Sequence, residues 1–139
     1  MPITAASATA GCSTRSASIS AGAHYTRALS PDGTVWGWGR NDYGQLGDGS
    51  TINRLAPTQV KGLYDIVAVS AGYCHSLALK KDGTVWAWGD NWSGTLGDGT
   101  TTPRLSPVQV QNLSGVTAIA AGYYHSTAIR ADGTMGRPR

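Results

Sequence analysis

Short apolar runs separated by glycine turns set the pattern of this chain. Ile66-Val67-Ala68-Val69 leads to Ala71-Gly72, then His75-Ser76-Leu77-Ala78-Leu79, a polar Lys80-Lys81-Asp82-Gly83, and Thr84 to Trp88. Runs this short, bounded by Gly, Pro and Asp, predict strands rather than helices. Asp-Gly between two apolar runs is a strong hairpin signal, because Gly accepts the positive φ that the turn requires. Successive strand residues point to opposite faces, so Trp86 and Trp88 share one face and Val85 and Ala87 the other. Apolar residues on both faces predict a strand covered on both sides. A Gly-rich loop follows, and a fourth extended piece is expected to begin after Pro107, as suits an edge strand.

The pattern repeats. Ala21-Gly22 returns as Ala71-Gly72 and Ala121-Gly122, a spacing of 50 residues each time. The same offset superposes Asp32-Gly33-Thr34 on Asp82-Gly83-Thr84 and Asp132-Gly133-Thr134. It also brings Trp36 and Trp38 onto Trp86 and Trp88, Asn41 onto Asn91, and Leu46-Gly47-Asp48-Gly49 onto Leu96-Gly97-Asp98-Gly99. Roughly half of the first unit recurs identically in the second, without a gap. About four strands per unit, apolar on both faces, predict four-stranded antiparallel sheets that stack as propeller blades. The expected organisation is a Ser/Thr/Ala-rich tail over 1–18, taken as disordered, repeat units over 19–135, and a non-repeat end at 136–139.

Composition agrees with an all-β fold. The chain holds 139 residues with 19 Gly, 5 Trp and no Glu, so a strong helix former is missing and helix interiors are penalised. Net charge is +3, and scattered bases without a cluster do not make a nucleic-acid footprint. No apolar run is long enough to span a bilayer. The opening stretch lacks the basic and apolar regions of a secretory signal, and Thr9-Ala10-Gly11-Cys12 is only a faint lipoprotein-like string. The compartment stays open, with the cytoplasm slightly favoured over secretion. Cys12 and Cys74 could pair, but two thiols are not a disulfide framework.

The segment from Ala71 to Val110 resembles a repeat of the regulator-of-chromosome-condensation (RCC) family. The shared features are the Ala-Gly-x-x-His-Ser-x-Ala-Leu strand, the Asp-Gly hairpin with two tryptophans, the Gly-x-Leu-Gly-x-Gly loop and the Pro-initiated strand. The resemblance runs from about Ile19 to Met135 and implies a β-propeller, which in that family has seven blades. The chain carries two full units and the start of a third, so two to three blades and a fragment of a longer protein are expected. Copies assembling into a homo-oligomer that completes a ring are the alternative. The first unit departs by placing Tyr25 where the others have His75 and His125, and Gly136-Arg137-Pro138-Arg139 replaces the expected continuation of the third.

Candidate chemistry is sparse. His75 and His125 occupy equivalent positions in different units, whereas an active site is normally single, so both are expected to be buried imidazoles bonded to neighbouring backbone. Asp48 and Asp98 read as turn residues, since a calcium loop of the helix–loop–helix kind needs a distant Glu. Gly22, Gly72, Gly122, Gly33 and Gly83 are expected to be structural, with Trp36, Trp38, Trp86 and Trp88 filling blade interfaces. Arg54, Arg104, Arg130, Arg137 and Arg139 look like a solvated rim. Exposed aromatic and Arg side chains favour interfaces, which selects the loop edge Arg40, Asn41, Asp42 and Tyr43, with Asp90, Asn91 and Trp92, for protein binding.

The expectation is a non-enzymatic module that binds another protein, without cofactor or metal, and with no small-molecule substrate, nucleic acid or membrane as partner. The resemblance also implies two alternatives: guanine-nucleotide exchange on a small GTPase with chromatin association, and inhibition of an enzyme such as a β-lactamase. Exchange in that family depends on an insertion between strands, and none interrupts the 50-residue spacing.

Overall fold

A computed structural model of the chain describes residues 18–136. Residues 1–17 of the expected 1–18 tail, Cys12 among them, and the terminal Arg137 and Arg139 lie outside the described residues. Eleven strands form three antiparallel meanders among the described residues. The first holds β1 (Ser18–Ala21), β2 (Tyr25–Leu29), β3 (Val35–Gly39) and β4 (Arg54–Gln59). The second holds β5 (Ile66–Ala71), β6 (His75–Lys80), β7 (Val85–Gly89) and β8 (Arg104–Gln109). The third holds β9 (Val116–Ala121), β10 (Ser126–Arg130) and β11 (Met135–Gly136).

Three boundaries differ from the expectation. Ser18 already pairs with Leu29, and Gly136 pairs with Ala128, so both belong to the repeat rather than to the ends. The fourth strand begins at Arg104, with Pro107 inside it. That is tolerated because β8 is an edge strand and its ladder with β7 breaks between Ala87 and Gly89. Pro107, lacking an N–H, falls where no ladder bond is required.

The hairpin turns follow one design. Asp32 Oδ1 accepts from the Thr34 N–H at 3.0 Å and the Thr34 hydroxyl at 2.6 Å, and Gly33 has φ 83°. Asp82–Thr84 and Asp132–Thr134 repeat those bonds. The Trp36 and Trp86 indoles donate to Thr34 and Thr84, so these two tryptophans brace turns as well as strands.

The core lies between sheets. Leu29, Val35, Val60, Leu63, Ile66, Ala78 and Trp88 fill the first joint. Leu77, Leu79, Val85, Leu96, Val110, Val116 and Ala128 are among the residues filling the second. β1, β5 and β9 lie beside one another: Ala71 N donates to Ser20 Oγ at 2.9 Å and Ala121 N to Ser70 Oγ at 3.0 Å.

The joints also carry polar clamps. His75 is buried and its Nε2 meets Ser126 Oγ of the next sheet at 3.1 Å. At the first joint the Tyr25 hydroxyl donates to the carbonyls of Gly72 and His75. Gly72 is obligatory in this setting, because a Cβ there would stand 2.6 Å from the Gly122 carbonyl oxygen and 2.7 Å from His75 Nδ1. His125 corrects the expectation of a second buried imidazole: it is exposed. A following sheet is what encloses this position, and His125 belongs to the last sheet described.

Candidate functional site

One end of the sheets gathers the turns after β1, β5 and β9 together with the long loops after β3 and β7. Arg40 N donates to His24 O and Asp90 N to Cys74 O, each at 2.9 Å, which ties each long loop to its neighbouring turn. We call this the turn end.

Each long loop is organised from inside by a buried asparagine. Asn91 Nδ2 donates to Asp98 Oδ1 at 3.1 Å and to the carbonyls of Thr100 and Thr102 at 3.0 Å, while its Oδ1 accepts from Leu96 N at 3.0 Å. Asn41 makes the same set with Asp48, Ser50, Ile52 and Leu46. The aspartates then hold arginines: Arg54 Nε to Asp48 at 2.9 Å and Arg104 Nε to Asp98 at 2.8 Å. Burial raises the Asp98 carboxyl, but bonds from Thr100, Arg104 and Asn91 outweigh it and hold the pKa down at about 2. The same contest leaves Asp48 lowered. Asp48 and Asp98 thus do more than turn, and Arg54 and Arg104 are loop braces rather than a solvated rim.

The candidate binding residues therefore divide. Asn41 and Asn91 are fully buried and Asp90 nearly so, so their side chains are loop framework and not surface. Trp92 is 68% exposed and Tyr43 37% exposed, each at the crest of its loop. Arg40 and Asp42 also reach solvent, paired at 2.5 Å. Outside that candidate set lies an aromatic group on the turns after β5 and β9. Tyr73 and Tyr123 stack with centroids 4.0 Å apart, and Tyr124 meets Tyr123 edge-on at 4.4 Å. Together with Ala21, Gly22, Ala71, Gly72 and Ala121, Tyr73 and Tyr123 line a shallow depression of about 250 Å³. The signal was present in Tyr73 and Tyr123 recurring at one repeat position, where the first unit has Ala23.

A second missed residue is Arg27, a cation wholly buried at the first joint. It donates to the carbonyls of Gln45 and Leu46 and, at 2.8 Å, to Ser76 Oγ, with Trp88 as a cation–π partner at 4.9 Å. Burial pulls its pKa down to about 10. The equivalent residue at the second joint is Leu77.

Among the described residues, no group of three or more His, Cys, Asp or Glu side chains could hold a metal ion, and no helix is long and apolar enough to cross a membrane. Cys74 is a buried free thiol whose pKa is raised by burial.

The model of the regulator of chromosome condensation (RCC1) repeat matches residues 32–79 and 82–129, and a second model of the same repeat matches 17–45 and 66–94. The chain belongs to the RCC1 repeat family. Its curated relatives include the Arabidopsis thaliana ultraviolet-B receptor UVR8, 44% identical over 43 residues, which are 31% of this chain and 10% of the receptor. The human E3 ubiquitin-protein ligase HERC2 is 45% identical over 45 residues, 32% of this chain and 1% of the ligase. Human WBSCR16 has a similar solved structure, with TM-score 0.75 and 27% identity over 84% of this chain and 32% of that one. Yeast RCC1 (Prp20), solved bound to Kap60, gives TM-score 0.71 and 23% identity over 86% and 31% respectively, a likeness of fold. The chain thus spans about a third of these solved chains and a tenth or less of these two curated relatives. The three meanders are blades of an RCC1-type β-propeller.

Proposed function

We propose that this RCC1-repeat chain is a non-enzymatic module that binds another protein through its turn end. The observation that carries this reading is the pair of long loops, each rigid from within and each crested by an exposed aromatic, Tyr43 and Trp92. Rigid presentation lowers the ordering cost of binding, and aromatic side chains supply most of the energy at interface hot spots. Arg40 and Asp42 add polar contacts at the rim, and the tyrosines at 73, 123 and 124 extend the surface toward the inner strands. One structural neighbour is itself a protein binder: yeast RCC1 (Prp20) is solved with Kap60 bound and is described with its binding properties to Gsp1p and histones.

The test is affinity capture with the wild-type chain and with the double variant Trp92→Ala, Tyr43→Ala. Both crests are solvent-exposed, so the variant should unfold near the wild-type midpoint and lose at least tenfold in affinity for the captured partner, on the order of 2 kcal/mol or less per aromatic. Unchanged affinity with an intact fold would place the interface elsewhere.

A further inference from the structure

We propose that Tyr73 and Tyr123 are a built site for oxidative coupling, at which hydrogen peroxide and a haem peroxidase join the second and third blades through a dityrosine bridge. The two residues hold the same position in consecutive repeats, so the stacking of blades brings their rings together. The rings lie 4.0 Å apart between centroids with 24° between planes. The Tyr73 N–H donates to Gly122 O at 3.3 Å, fixing one turn on the other beneath the rings. Tyr123 is 52% exposed, Tyr73 is half-buried, and the depression beside them opens to solvent, so the phenols face the side from which an oxidant approaches. The first joint has Ala23 at this position and cannot form the bridge.

The chemistry balances. Each phenol gives up one electron and one proton, and the peroxide takes both hydrogens to become two molecules of water. Each phenoxyl radical carries spin on the ring carbons ortho to oxygen, and one such carbon from each ring combines to form the new carbon–carbon bond. The hydrogen on each coupled carbon then moves to its phenolic oxygen, restoring two aromatic phenols. The net change in the protein is the loss of two hydrogen atoms. Tyr124 competes poorly, because it meets Tyr123 edge-on at 81° and lies 6.4 Å from Tyr73. Tyr25 is buried against the Gly72 and His75 carbonyls and does not compete.

The dilute 139-residue chain treated with hydrogen peroxide and a haem peroxidase should give a monomer lighter by two hydrogens, with dityrosine fluorescence and a cross-linked peptide joining Tyr73 to Tyr123. Tyr73→Phe and Tyr123→Phe, both expected to keep the wild-type circular dichroism, should each abolish the bridge. Tyr64→Phe and Tyr124→Phe should retain it. Because the bridge closes a 50-residue loop between blades, the treated chain should also unfold at a higher midpoint. A bridge mapped to Tyr124 or Tyr64, bridges only between chains, or no bridge while free tyrosine dimerises in the same mixture would each overturn the proposal.

Discussion

His75 shows how one side chain links a joint to pH. Burial lowers its pKa from 6.5 to about 4, with Asp90 and the His125 backbone opposing. The folded state therefore keeps the imidazole neutral while the unfolded chain takes up a proton below about pH 6.5. The stabilisation tied to the neutral ring is fully present above that pH and is lost as pH falls toward 4, by up to about 3 kcal/mol. The repeat supplies its own control, since Tyr25 fills the same position at the first joint with a hydroxyl that does not titrate in this range. His75→Tyr is expected to flatten the fall in urea midpoint between pH 6.5 and 4. A slope identical to wild type would assign the acid sensitivity to other groups.

At the scale of the element, the loop after β7 stands or falls with Asn91. Alanine there strands the Leu96 N–H and the Thr100 and Thr102 carbonyls, and it takes a donor from Asp98. The expected cost of Asn91→Ala is on the order of 3 kcal/mol, read as a lower thermal midpoint. Trp92 should become more mobile in the same variant, which fluorescence anisotropy would detect. The strands and hairpins were legible in the sequence because Asp-Gly and alternating apolar residues act locally, within a few positions of each other. The loop interior was not, because Asn91 and its acceptors lie up to 11 residues apart and a polar side chain in a Gly-rich stretch looks the same whether it faces solvent or core. For the same reason Asn41 and Asn91 were grouped with surface residues although both are buried, whereas Trp92 and Tyr43 of the same group stand exposed. Arg27 was illegible for a different reason: its acceptors come from Gln45, Leu46 and Ser76, which only the stacking of two blades collects.

Across the whole molecule, the two joints are built from different pairs. Arg27 stands opposite Gly37 in the β2–β3 ladder, and Leu77 stands opposite Ala87 in β6–β7. The match is steric, since a Cβ on Gly37 would fall against the Arg27 guanidinium, 3.1 Å from Cζ. Gly37→Ala alone is expected to cost about 1–3 kcal/mol through crowding. Arg27→Leu alone removes a buried cation but leaves a void over Gly37 and the Leu46 carbonyl without its donor. Together the two changes reproduce the second joint, and the double variant should be more stable than the sum of the singles predicts by about 1 kcal/mol or more. Additive effects in a denaturation cycle would show that the pairs are independent.

That pairing bears on anyone who would rebuild the chain from an averaged repeat. Choosing the commonest residue at each of the 50 positions treats columns as separate, and such a choice can set a guanidinium against a methyl group that neither natural unit combines. Units can be duplicated, reordered or grafted between proteins when the residues at 27 and 37 travel together with the hydroxyl they meet on the next blade. The inheritable part in this architecture is therefore the seam between two repeats rather than the repeat itself.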